Sequence, residues 1–152
     1  MKEFFKEIFE YHHHFNRLLI EQLALHETAL PKRTYPLFCH VLNASQVWNS
    51  RILSTRPLGV HELHTCNDCM LVNNEILNGV LEIVEHRDLM ESIAYVNTAG
   101  KSFSNTIRDI LFHSANHATH HKGQVISDFR LSGIEPLVTD YIFYKRVQGS
   151  NN

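Results

Sequence analysis

Apolar residues recur at helical spacing in four long segments of this chain, and this periodicity is the strongest constraint on its fold. Pro31 ends the first segment, Thr34 is a candidate N-cap for the second, and Pro57 opens the loop that follows the second. The predicted helices cover approximately residues 2–29, 34–54, 66–85 and 104–131. Four helices of this length around one core predict an all-α fold, a four-helix bundle.

Two shorter segments have a different pattern. Residues 91–97 alternate apolar and polar side chains as a strand does, and residues 97–101 are typical of a turn. We therefore expect a short hairpin or extended segment before the last helix. The aromatic tail, residues 134–144, is predicted to be extended and to pack on the bundle or on a partner subunit. One domain over residues 1–152 accommodates all of these elements.

Composition and charge narrow the functional classes. The chain has 14 basic and 16 acidic residues, so its formal charge of −2 offers no basic field for a nucleic acid. No apolar run approaches the roughly 18 residues of a membrane span, and the first residues do not resemble a signal peptide. Three cysteines do not make a disulfide framework. We expect a cytoplasmic protein that binds neither nucleic acid nor membrane.

Histidine is the unusual residue of this chain: four of its twelve histidines lie within residues 113–121. His113, His117 and His121 recur every four residues, so neighbouring members share a helix face and can offer two imidazoles to one metal ion. By spacing alone the pairs His113/His117 and His117/His121 are equivalent, and His117/His120 is a weaker option. The triplet of residues 12–14 points in three directions, so at most two of its histidines face inward.

A third ligand must come from another helix, and His40 is the best candidate because it lies on the apolar stripe that also holds Trp48. A single histidine on such a stripe is more often a core residue, but the two-histidine helix favours ligation. A second site is conceivable in residues 61–69, where two histidines accompany a CxxC pair. The favoured interpretation there is a polar loop whose cysteines pack as small apolar groups, and Cys39 is also expected in the core.

Residues 111–125 resemble the signature of the DinB/YfiT-like metalloenzyme family, in which H-x3-H-x3-H-R-G-Q closes the last helix. The resemblance extends along most of the chain. It includes the turn at residues 95–101, the Gly133–Pro136 and Thr139–Tyr141 segments, Phe15-Asn16, and the stretch from His40 to Trp48.

The resemblance implies specific site residues: His40, His117 and His121 as metal ligands, with His113 in a supporting role. Lys122 stands where the family usually has arginine. The lysine keeps the positive charge but lacks the planar guanidinium, which can donate two parallel hydrogen bonds. The implied cofactor is one divalent ion, nickel or zinc first and iron or manganese as alternatives, together with a low-molecular-weight thiol in some relatives. Three protein ligands leave an open coordination position, which is typical of catalytic sites.

The leading functional hypothesis is a metal-dependent hydrolase or small-thiol S-transferase that acts on a small molecule, and the resemblance implies a homodimer. The alternative is a non-catalytic metal-binding stress-response protein. A third interpretation, in which the histidines are merely structural, predicts no bound metal. No general base is identified by spacing, and fold similarity does not fix the reaction.

Overall fold

The computed structural model describes residues 1–97 and 99–149, and it is mostly helical with one small antiparallel sheet. The helices and strands, in chain order, are α1 (Lys2–Leu25), α2 (Thr34–Leu53), α3 (Cys66–His86), β1 (Ser92–Val96), β2 (Ser102–Thr106), α4 (Ile107–Leu131) and α5 (Tyr141–Gly149). The helical character and the hairpin between the third and fourth helices are as the sequence predicts.

The four long helices surround a common apolar core. Helix α1 packs against α3 and α4, and α2 packs against the same two helices. The largest fully buried apolar side chains come from all four, and they include Leu19, Phe38, Ile83 and Phe129. Burial of these side chains supplies the main stabilisation of the fold. Within the described ranges, no helix combines the length and the apolar character needed to cross a bilayer.

Local hydrogen bonds explain where the helices begin. Thr65 and Asp68 form a capping box at the start of α3. Helix α4 begins at Ile107 rather than near Ser104, because residues 102–106 pair with β1 and Thr106 then caps the helix through the backbone N–H of Asp109. The prediction of Thr34 as an N-cap was wrong. Arg33 occupies that position, and the Thr34 hydroxyl donates to the buried carboxylate of Asp128.

The first helix and the tail also differ from the predictions. Helix α1 ends at Leu25, and the predicted remainder to residue 29 forms turns. The tail was predicted to be extended through residue 144, but α5 begins at Tyr141, so α4 is not the last helix. The carbonyl of Asp140 accepts from the backbone N–H groups of Phe143 and Tyr144, which starts a helical turn. The Tyr141 hydroxyl and Lys145 Nζ, one turn apart, both donate to the Glu7 carboxylate on α1.

The hairpin turn between β1 and β2 is organised by one asparagine. The Oδ1 atom of Asn97 accepts from the backbone N–H groups of Ala99 and Lys101. Gly100 has φ of +76°, a conformation that favours glycine. Thr98, which belongs to the predicted turn at residues 97–101, lies outside the described residues.

Candidate metal centre

Helices α2 and α4 bring three predicted ligands together. One ring nitrogen from each of His40, His117 and His121 lies within 4.8 Å of the others, and all three side chains are half-buried. The ring centroid of His40 is 5.2 Å from that of His117 and 5.1 Å from that of His121. The His117 and His121 centroids are 4.4 Å apart. We call these residues the histidine triad; three imidazoles at this spacing could hold a divalent metal ion.

Hydrogen bonds orient two rings of the triad. The Nδ1–H of His40 donates to the carbonyl oxygen of Val60 at 3.0 Å. The Nδ1–H of His121 donates to Oε1 of Gln124 at 2.7 Å. Because both acceptors are carbonyl oxygens, the proton must lie on Nδ1, which leaves the Nε2 lone pair of each ring free to bind a metal. Metal-binding histidines in proteins commonly have this arrangement.

The environment of His117 also favours the ligand form of its ring. Burial, followed by the proximity of His121 and His40, lowers the pKa of His117 to about 4. The imidazole is therefore neutral at pH 7, and no proton competes for its lone pair.

His113 lies beside the triad rather than in it. Its ring centroid is 5.7 Å from that of His117 and 5.2 Å from the ring centroid of Trp48. Burial and the charge of Arg51 lower the pKa of His113. Its supporting role stays a prediction, and the structure assigns it a position between the triad and an aromatic pair of α2 and β1, Trp48 and Tyr95.

The second conceivable site, residues 61–69, is not assembled. The His61 ring stacks on that of His40 with centroids 5.5 Å apart, while His64 Nε2 donates to Asn43 Oδ1. Cys66 and Cys69 lie near the hydroxyl of Tyr35 instead. Cys39 and Cys69 are fully buried in the core, as expected for cysteines that pack as small apolar groups. In residues 1–97 and 99–149, the triad is the one group of three potential ligands close enough for a metal ion.

Sequence reasoning missed a buried polar pair on the other side of α4. Lys122, which is 2% exposed, donates from Nζ to Nδ1 of His12 at 2.6 Å. Burial lowers the pKa of Lys122 to about 7. The position of this lysine in the sequence could have indicated its burial. Residue 122 follows Ala118 by four and precedes Val125 by three, so it falls on the buried stripe of the helix. The lysine therefore joins α4 to α1 rather than contributing to the triad.

Several cavities border α4. A cavity of about 210 Å³ adjoins His113 and is lined by Trp48, Tyr95, Asn105, Asp109, Ile110 and His113. A larger one, about 410 Å³, lies between α1, α4 and the start of α5, with Phe4, Tyr11 and Phe112 among its walls. No triad residue lines either cavity, but the smaller one adjoins His113, whose ring lies next to that of His117, so it is the better candidate for a space that serves the triad.

The fold and the triad define a class: a helical protein with a candidate histidine-only metal centre. Residues 78–152 match the family model described as DinB family, and this match supports a DinB-like family assignment. The matched segment contains His117 and His121 but not His40. No curated protein and no solved structure matches the chain.

Proposed function

We propose that this chain forms a single DinB-like four-helix-bundle domain over residues 1–152 and binds one divalent metal ion through His40, His117 and His121. The observation that carries the proposal is the geometry of the triad. Three ring nitrogens converge within 4.8 Å, and two of the rings are held by hydrogen bonds that leave Nε2 free. A purely structural role would not require this convergence of three imidazoles.

Nickel or zinc is the proposed ion, with iron or manganese as alternatives, because imidazole nitrogens suit all of these ions and discriminate weakly among them. A divalent ion held by three protein ligands supplies an open position, where it activates water or holds a thiolate. The residues of this chain then have separate tasks. Val60 and Gln124 orient two rings, and the environment of His117 keeps the third ring neutral.

We further propose that the metal serves catalysis, in a hydrolase or in an S-transferase that uses a low-molecular-weight thiol. The triad is only half-buried, so a small molecule can approach it, and the 210 Å³ cavity beside His113 offers adjacent space. A metal-binding stress-response protein without turnover needs neither the access nor the cavity.

Homodimer formation and a cytoplasmic location belong to the same proposal. The exposed side chains of Ile142 and Phe143 on α5 are apolar and offer surface to a second copy. All three cysteines are free, which suits a reducing compartment.

The test is metal analysis of untagged protein combined with a transferase and hydrolase screen. We expect about one equivalent of divalent metal per chain and turnover with at least one thiol cofactor or ester substrate. A full equivalent of metal without turnover in such a screen would favour the non-catalytic alternative. Protein that binds no nickel, zinc or cobalt after dialysis would refute the metal site itself.

A further inference from the structure

Arg51 lies on the same face of α2 as His40, eleven residues or about three turns further along the helix. Its guanidinium carbon stacks 4.2 Å from the centre of the Trp48 ring and 4.7 Å from that of Tyr95. Long helical side chains point back toward the helix N-terminus, so the guanidinium extends toward the triad. The contacts with these two aromatic rings hold the guanidinium plane of Arg51 in place.

This guanidinium has no carboxylate partner within residues 1–97 and 99–149, since none of the ion pairs there includes Arg51. Nearby arginines are paired: Arg87 with Glu91 and Arg108 with Asp109. A stacked arginine without an anion keeps the N–H groups on its edge available, and that edge matches the two oxygens of a carboxylate.

The 210 Å³ cavity adjoins the two aromatic rings on which Arg51 stacks. Its walls include His113 and the two rings on which Arg51 stacks, and His113 in turn contacts His117 of the triad. Asp109 also lines the cavity, but its carboxylate already accepts from the Arg108 guanidinium. In the described residues, the arginine that stacks on the cavity wall and has no carboxylate partner is therefore Arg51.

We propose that Arg51 binds a carboxylate group of the substrate, while the other end of the same molecule reaches the histidine triad. The substrate class is an elongated small carboxylic acid whose reacting group and carboxylate lie several bonds apart. This inference rests on the proposed function of the triad. It assigns Arg51 as a specificity-determining residue, stacked on Trp48 and Tyr95.

The first test uses protein loaded with Co²⁺ and two matched series of probes, ω-mercaptoalkanoic acids of three to eight carbons and the corresponding ω-mercaptoalkanols. The thiolate-to-cobalt absorption band reports binding at the triad for both series. A hydrogen bond to a charged group stabilises by about 1.5–3 kcal/mol, so we expect the best acid to bind roughly tenfold or more tightly than its alcohol. Acids of intermediate length should bind best.

Variants then test whether the preference for acids over alcohols comes from Arg51. In Arg51→Gln the preference for acids should fall to within about twofold, with the alcohols unaffected, because only the carboxylate contact is removed. Arg51→Lys should keep part of the preference, since it retains charge without the fork. The matched control is Arg130→Gln, which removes the same charge at the exposed end of α4 and should keep the full preference.

A second test does not need the metal. Trp48 is the only tryptophan of the chain, so its emission reports directly on the ring beneath Arg51. In metal-free protein, hexanoate should change this emission saturably and hexanol should not. Arg51→Gln should abolish the hexanoate response.

The outcomes separate the two proposals. Equal binding of acids and alcohols to cobalt-loaded wild-type protein would overturn the role of Arg51 and leave the metal site intact. Absence of the thiolate band with every probe would overturn the metal site, and the Trp48 titration would then decide on the carboxylate site alone. Both wild-type titrations remain informative even if Arg51→Gln fails to fold.

Discussion

The side-chain amide of Gln124 holds two histidines of α4 at once. Its Oε1 accepts from Nδ1–H of His121, and its Nε2 donates to Nε2 of His120 at 3.5 Å. The first contact fixes the tautomer of a predicted ligand, and the second fixes which way the amide faces. Gln124 is therefore a positioning residue for the triad, one turn beyond its last member.

Replacing Gln124 by alanine should weaken metal binding without abolishing it. Loss of a hydrogen-bond partner behind a ligating histidine typically costs tenfold to a hundredfold in metal affinity. We expect a dissociation constant about 10–100 times that of the wild type for Zn²⁺, measured by competition with a chelating indicator. Gln124→Glu retains the acceptor and should bind at least as tightly as the wild type. Equal affinity in Gln124→Ala would show that His121 is not oriented by this contact.

Removing a member of the triad should have a larger effect. His117→Ala deletes the central ring, which lies near both other histidines, and two protein ligands hold a divalent ion poorly. We expect metal content after dialysis to fall below about 0.1 equivalent, measured by elemental analysis. His86→Ala is the matched control, because His86 is exposed at the end of α3 and lies outside the triad. A full equivalent of metal in His117→Ala would refute the assigned ligands.

The sequence predicts the local features of this fold well because their causes are local. Helical periodicity identifies the four long helices, and alternation identifies the hairpin. Spacing also restricts the metal-binding pairs on α4 to a few options. It cannot choose among them, because the choice depends on which part of α4 faces His40 once α2 has packed against it.

The features that the sequence does not reveal depend on distant contacts. Helix α5 is held by the Glu7 carboxylate, which lies more than 130 residues earlier in the chain. The burial of Lys122 depends on its hydrogen bond with His12, which lies 110 residues earlier in the chain. Residue 122 falls on the buried stripe of α4, but a lysine there is ordinarily solvated, and the histidine that accepts from it becomes apparent only in the tertiary structure.

The buried Lys122 should make stability depend on alkaline pH. Its pKa is about 7 in the folded protein and ordinarily 10.5, so between these values the unfolded chain carries a proton that the folded chain does not. Proton uptake by the unfolded state favours unfolding, and this contribution decreases as pH rises. The wild type should therefore gain up to about 1.4 kcal/mol per pH unit relative to Lys122→Met between pH 7 and pH 9.

Urea unfolding of both proteins at each pH measures this difference, and the comparison cancels groups that titrate in both. Below pH 7 the lysine is protonated in both states, so the difference should become constant. A difference that stays flat from pH 7 to pH 9 would show that the folded protein holds Lys122 at its ordinary pKa.

Two helical glycines should respond in opposite ways to alanine. A Cβ at Gly123 on α4 would meet no atom within 4 Å, so Gly123→Ala should stabilise the protein by about 1 kcal/mol through helix propensity. A Cβ at Gly79 on α3 would lie 2.8 Å from Nδ2 of Asn49, which donates to the carbonyl of Ile76. Gly79→Ala must displace that buried amide and should destabilise by about 1 kcal/mol or more. Urea unfolding of the two variants checks both signs, and destabilisation by Gly123→Ala would mean that this face of α4 is occupied.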